Sequence, residues 1–167
     1  MADGSIPVQA VRIVPATVAD IACVAIHMRP DEIEQWLALT GVAHYVPDVA
    51  VRAVVNTGDP CWAMVDMSGR PFVVGGMHVD RPGVASLWMM GTMAGWALHW
   101  RVITKTAKRF IAGLLDGDMH RVEVTALASR TEAHRWYRRL GLNIEEPRRA
   151  WFADGSDGVC FAAVGEV

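Results

Sequence analysis

Cysteine is scarce in this chain of 167 residues and odd in number: Cys23, Cys61 and Cys160 stand far apart with no C-x-x-C pair. That argues against a disulfide framework and a zinc site, and it fits reduced thiols in a cytosol. The histidines show no H-E-x-x-H or comparable ligand spacing, so no metal is expected. A G-x-S-x-G elbow is also missing, which counts against a hydrolase. The opening Met1-Ala-Asp-Gly-Ser-Ile-Pro7 has neither a basic n-region nor an apolar h-region, so no secretion signal is read and a cytoplasmic location is expected. Residues 1–10 are expected to be flexible. Excess charge is lacking too. Lys and Arg number 16 against 18 Asp and Glu, a net charge of −2 that gives no whole-molecule attraction to nucleic acid.

A further absence imitates a membrane segment. No charged residue lies between Arg81 and Arg101, close to the ~20 apolar residues that span a bilayer. The run nevertheless opens with Pro82-Gly83, contains Gly91, Thr92 and Gly95, and closes with His99, which reads as a buried strand, a turn and the start of a helix. No membrane span is expected.

What is present suits one domain with a real core, since 52% of the residues are hydrophobic and 20% charged. Val11–Val14 alternates as a strand, and Thr17-x-x-Asp20 forms a capping-box pattern opening a helix to about Met28. A second helix is predicted from Pro30, with two acids in its first turn and Gly41 as its stop. Tyr45–Thr57 is ambiguous, with a short helix over Val49–Val55. Cys61–Asp66 and Phe72–Val79 are strands joined by Met67-Ser-Gly-Arg70. Ala85–Met90 is the next strand, and a long helix follows from about Trp96 to Leu115. Arg121–Ser129 is a strand, Ala133–Leu140 a helix stopped by Gly141, and Val159–Val164 the last strand. No repeat or linker interrupts this order.

The spacing Ala133-x-x-x-Tyr137-x-x-x-Gly141-Leu142 resembles the C-terminal half of the GCN5-related N-acetyltransferases (GNATs), whose pattern is roughly Asn-x-x-Ala-x-x-x-Tyr-x-x-x-Gly-Phe. Here Ser129 or Arg130 holds the asparagine position. Arg12-x-x-Pro15-Ala16-Thr17-x-x-Asp20-Ile21 looks like that superfamily's first strand and helix start. Met28-Arg29-Pro30-x-x-Ile33 and Arg135-Trp136-x-Arg138-x-Leu140-Gly141 are most similar to a group of short phage-encoded proteins of the same fold. The likeness runs over roughly residues 11 to 164. It implies a single α/β (α+β) GNAT-like domain spanning 1–167. The mixed, mostly antiparallel sheet would be splayed between its fourth and fifth strands and flanked by helices.

The resemblance implies transfer of an acetyl group from acetyl-CoA to a primary amine on a small molecule or protein. It places the acyl thioester beside Met89, Met90 and Gly91, whose backbone N–H groups polarise a carbonyl whatever the side chains. The pyrophosphate would lie over the turn Gly91-Thr92-Met93-Ala94-Gly95-Trp96, helped by Arg101 or Lys105, although the superfamily's Gln/Arg-x-x-Gly-x-Gly/Ala motif is degraded here. Lys108 and Arg109 read as a solvated helix face. Tyr137 is the candidate proton donor to the departing thiolate. The fourth strand has no carboxylate, which leaves His78, Asp80 and Glu123 as candidate bases, with His78 preferred. Asp31 and Glu32 around Trp36 are expected to draw a cationic acceptor. Two other readings stand beside this one: a non-catalytic, virion-associated or interaction protein that binds no CoA, and a nucleic-acid-modifying enzyme. The oligomeric state, a homodimer included, stays open.

Overall fold

The structure, a computed structural model, describes residues 11–165. The expectation of a flexible segment at 1–10 lies outside the described residues. The elements run β1 (Arg12–Pro15), α1 (Val18–Ile26), α2 (Pro30–Thr40), α3 (Pro47–Thr57), β2 (Cys61–Val65), β3 (Pro71–Arg81), β4 (Val84–Gly91), α4 (Met93–Leu115), β5 (Arg121–Leu127), α5 (Thr131–Leu140), β6 (Asn143–Arg148) and β7 (Gly158–Val164). They build a seven-stranded sheet in the order β1-β2-β3-β4-β5-β7-β6. Every adjacent pair is antiparallel except β4 and β5.

That exception positions everything of functional interest. β4 and β5 share a ladder only over Val84–Ser86 and Arg121–Glu123. Beyond it the two strands diverge, and their facing edges are left without each other. The expected splay is therefore present.

Apolar residues divide between the two sheet faces. Ile21, Val24, Ala25 and Met28 of α1 pack with Ala63, Val65, Val74 and Met90 on one face. On the other, Ile103 packs with Met64, Phe72 and Val73, while Ile111 and Leu140 pack with Ala85, Val122 and Phe161. Alternation along a strand sends successive side chains to opposite faces, so Met89 and Met90 join different cores.

Capping explains most boundaries. Thr17 and Asp20 form the full capping box, with Thr17 Oγ1 accepting from the Asp20 N–H and Asp20 accepting from the Thr17 N–H at 2.9 Å. Gly41 adopts φ 70° at the end of α2 and Gly141 φ 95° at the end of α5, the left-handed stop that side chains resist.

Three elements differ from the sequence expectation. The segment 47–57 is a whole helix, because Pro47 occupies its first turn, where a missing N–H costs nothing. Helix α4 begins at Met93 rather than Trp96, since Thr92 Oγ1 accepts the Gly95 N–H at 2.9 Å and caps the helix directly after β4. Strand β6 is read from the sequence as no element at all. Its Glu145-Glu146-Pro147 core is polar and exposed, as an edge strand allows, and its pairing with β7 shifts register between Ile144 and Pro147. The charge-free run from 82 to 100 becomes β4 and the start of α4. Among the described residues no helix is long and apolar enough to cross a membrane.

Candidate active site

Where β4 and β5 part, their backbone edges need partners, because a buried N–H or C=O without one is costly. Helix α2 lies across the gap and supplies them from its side chains. Gln35 donates to the Thr125 carbonyl at 2.9 Å and accepts from the Leu127 N–H at 3.1 Å, standing in for a neighbouring strand along β5. Glu32 does the same for β4. Its Oε2 accepts the Gly91 N–H at 2.6 Å and its Oε1 accepts the Trp96 indole N–H at 3.0 Å. The Arg29 N–H completes the edge by donating to the Gly91 carbonyl at 3.1 Å.

Around these contacts sits a polar cluster. Asp31 takes Arg29 at 3.0 Å and Arg130 at 2.7 Å, and Arg130 also donates to Gln35 Oε1 at 3.0 Å. Arg130 Nε is nevertheless buried without a hydrogen-bond partner, a donor left over at the cleft wall. Burial raises the Glu32 carboxyl from its ordinary 4.5 to about 7, against the lowering effect of the Gly91 N–H and of Arg130 and Arg29. Burial likewise pushes the Tyr137 phenol up, with Arg130 opposing and Glu32 and Asp31 adding to the rise. Tyr137 thus shares its surroundings with the three charged groups of the gap. Its ring is held by Phe161 at 5.4 Å and Trp136 at 5.6 Å.

The gap opens into a cavity of about 690 Å³ under α4, walled by Leu87, Met89, Ile103, Ala107, Val124 and Tyr137 and lined also by Glu32, Asp31 and Arg130. Register decides which strand groups face it. The Thr92 N–H donates to the Phe72 carbonyl at 2.9 Å, so the even-numbered residues of β4 bond to β3 and the N–H and C=O of Met89 point toward the gap.

Several expected site residues therefore meet here: Tyr137, Met89, Trp96, Asp31 and Glu32 all line the one cavity. Met90 turns its side chain into the α1 core. Gly91 ends β4, and a side chain there would collide with the Trp96 indole at 2.7 Å. Thr92 is the α4 cap rather than part of an open turn. Gly95 also has another duty. A Cβ on it would meet Phe72 Cβ at 2.8 Å, so its smallness lets α4 sit on the sheet instead of admitting a phosphate.

Other residues are not brought to the cleft. His78 pairs with Ser86 at the closed end of the ladder, where its ring contacts Asp59 at 2.9 Å, on a half-exposed edge. Asp80 there accepts from Ser86, and Glu123 is taken by Arg121 and Arg148. Arg101 lies two turns into α4, over the Trp100 ring. Trp36 packs edge-on against Tyr45 at 5.4 Å, in the α1 core, away from the cavity. Sequence reasoning missed Gln35 and Arg130 Nε, and it read Glu32 as drawing a cationic acceptor rather than as the buried partner of the β4 edge. The spacing of Asp31, Glu32 and Gln35 over one turn was the available signal, but an acidic first turn has an equally good local explanation in the helix dipole.

No protein-family model matches the chain, and no curated protein matches it in sequence. Solved structures do. The ribosomal-protein-alanine N-acetyltransferase from Brucella melitensis superposes with a TM-score of 0.69 at 14% identity, over 92% of this chain and 99% of the other. The GNAT superfamily phosphinothricin acetyltransferase from Sinorhizobium meliloti in complex with AcCoA gives 0.63 at 13% identity, over 93% and 89%. AAC(6')-Ib in complex with ribostamycin and coenzyme A gives 0.70 at 15% identity, over 93% and 94%. The chain has the GNAT fold. At these identities the likeness speaks for the GNAT architecture and its splayed β4 and β5, and the chemistry has to be argued from the residues in the gap.

Proposed function

We propose that this protein is an N-acyltransferase that moves an acetyl group from acetyl-CoA to a primary amine, with the reaction centred on the gap between β4 and β5. The observation that carries this reading is Glu32: a carboxylate buried in the gap, titrating near neutrality, within the same cavity as Tyr137 and the Met89 N–H. A base poised at the working pH is what amine deprotonation needs. Glu32 thereby replaces the expected His78 as general base.

The apolar cavity suits the slender pantetheine arm, and the unpartnered Arg130 Nε–H offers a donor to a bound acceptor atom. The α4 N-terminus fits a pyrophosphate less well, because Gly95 is covered by Phe72 and its N–H is taken by Thr92. An acyl thioester supplies the activated carbonyl. The amine nitrogen bonds to that carbon and the C–S bond breaks. Glu32 takes the amine proton, the Met89 N–H stabilises charge on the carbonyl oxygen, and the Tyr137 O–H returns a proton to the sulfur, leaving an amide and a free thiol. Because Asp31 is tied to two arginines, it orients Arg130 rather than attracting a cationic amine.

Calorimetry with acetyl-CoA, followed by a thiol-release assay over a panel of small-molecule and peptide amines, tests the reading. Heat on binding and thiol release with at least one amine are expected; no heat at millimolar acetyl-CoA overturns it. A second reading has its own observation: Glu32 and Gln35 already satisfy the strand edges that open the gap. A chain that folds this way without ligand also suits a non-catalytic interaction protein of phage origin, and the same calorimetry separates the two.

A further inference from the structure

The cavity reaches well beyond the gap it opens from. Its floor crosses from β4 through β3 to β2, where Met89, Gly75 and Trp62 lie side by side in one cross-strand row under α4. Trp62 and Met89 carry large side chains and Gly75 between them carries none, so the row dips in the middle. Two consecutive glycines here serve opposite faces of the sheet. Gly76 is covered by the Trp88 ring, which a Cβ would meet at 2.8 Å, whereas Gly75 looks into the cavity beside the Met89 side chain. The roof is the inner face of α4, where Phe110 meets Trp62 edge-on at 5.1 Å and closes the far end. Among the described residues, the side chains lining this stretch are apolar or aromatic apart from Thr106 and Arg109.

A pantetheine arm ends at the gap and has no use for a lane that leads away from it under α4. The group hanging from the thioester carbonyl at the Met89 N–H does. We propose that this lane over Gly75 receives the acyl chain, and that the preferred donor carries an unbranched saturated chain of about eight carbons rather than acetyl. This rests on the acyl-CoA reading and deepens it by naming the acyl group. The length follows from the sheet: β2 lies two strands from β4, roughly 10 Å away. An extended chain advances roughly 1.2 Å per bond, so about eight carbons reach from Met89 to the wall formed by Trp62 and Phe110. The volume agrees, because 690 Å³ falls within the ~300–1,000 Å³ of sites that bury drug-sized ligands, and a void lined by apolar groups is costly to leave empty. The bonds exchanged stay the same: the amine nitrogen takes the acyl carbon as the C–S bond breaks, Glu32 receives the amine proton and Tyr137 protonates the sulfur.

The test is calorimetry of the full chain with acetyl-, octanoyl- and dodecanoyl-CoA. Each buried methylene is worth about fourfold in affinity, so after the cost of ordering the chain the octanoyl-CoA Kd is expected to lie about 10²-fold below that of acetyl-CoA. Dodecanoyl-CoA, longer than the lane, is expected to gain nothing further. In Gly75→Val a branched side chain fills the dip, its Cβ 3.1 Å from the Trp88 carbonyl oxygen and 3.4 Å from Met89 Cγ, and the ratio of the octanoyl to the acetyl Kd should return to about one. Trp62→Ala opens the far wall and should make dodecanoyl-CoA the tighter ligand. A ratio of one in an unaltered chain that binds acetyl-CoA overturns this proposal alone. So does an octanoyl preference that survives Gly75→Val together with a length optimum unmoved by Trp62→Ala, since the chain then lies elsewhere. No binding of any of the three donors overturns it together with the acyl-CoA reading.

Discussion

A carboxyl group behaves according to where the chain puts it, and Glu32 shows how far that can go. In a helix's first turn an exposed glutamate would stay ionised through neutrality; inside the gap, burial moves it to about 7. Two consequences can be measured. Glu32→Gln keeps the shape while removing the base; its amide oxygen can accept only one of the two N–H groups that Glu32 holds, so some stability is lost as well, and the rate of acyl transfer is expected to fall by about 10²-fold or more, with the rise in rate through pH 7 gone. Stability has the opposite trend with pH. A carboxyl whose folded value lies above its unfolded one binds more protons when folded, so its contribution is present below 4.5 and is lost as pH rises to about 7, roughly 3 kcal/mol in all. Thermal melts of the unaltered chain minus those of Glu32→Gln should show that slope. A pH-independent difference would mean the carboxyl is not protonated on folding. Tyr137→Phe removes only a hydroxyl, so the melting temperature should hold while transfer slows by about 10²-fold. An unchanged rate returns the tyrosine to a packing role against Phe161.

At the scale of elements, the question is what holds two diverging strands in place. Helix α2 does so through Gln35, which bridges two backbone groups of β5, and through Glu32 on β4. Gln35→Ala leaves the Thr125 carbonyl and Leu127 N–H without partners, at a cost of about 2 kcal/mol, and for a chain of this size the melting temperature should drop by roughly 4–8 °C. A drop within error would show that water replaces the amide. The seat of α4 is just as specific. Gly95→Ala pushes a methyl against Phe72 Cβ at 2.8 Å and Phe72 O at 2.9 Å; overpacking of this kind costs about 1–3 kcal/mol and should appear as a lower denaturant midpoint.

The molecule as a whole is a sheet whose two halves meet over only three residue pairs, Val84–Ser86 with Arg121–Glu123. An ion-pair network reinforces the closed end: Arg121 contacts Glu123 at 2.8 Å and Glu145 at 2.7 Å, and Arg148 contacts Glu123 at 3.0 Å. The open end has side-chain bridges instead. Hydrogen exchange should report this asymmetry, with slow amides at Ala85 and Val122 and a faster one at Met89 that slows when acetyl-CoA is added. Equal protection along β4, unaffected by acetyl-CoA, would contradict a ligand in the gap.

How much of this was legible in the residues alone follows from range. The strands at 61–65, 84–91 and 121–127, the helices opened by Thr17 and Pro30, and the stops at Gly41 and Gly141 rest on alternation, capping and left-handed turns, all of which act within a few positions of the chain. The Tyr137 spacing pointed to the fold for the same reason. Edge strand β6 escaped because an exposed, proline-bearing strand has no apolar alternation to betray it. The site was decided elsewhere. Glu32 meets Gly91 across 59 positions and Gln35 meets Leu127 across 92, and only the packed fold sets which acid is buried, which backbone edge lacks a neighbour, and that His78 sits at the wrong end of its strand. Local pattern determined the elements; burial and long-range contact, which change a group's solvation and therefore its chemistry, determined what the residues between them can do.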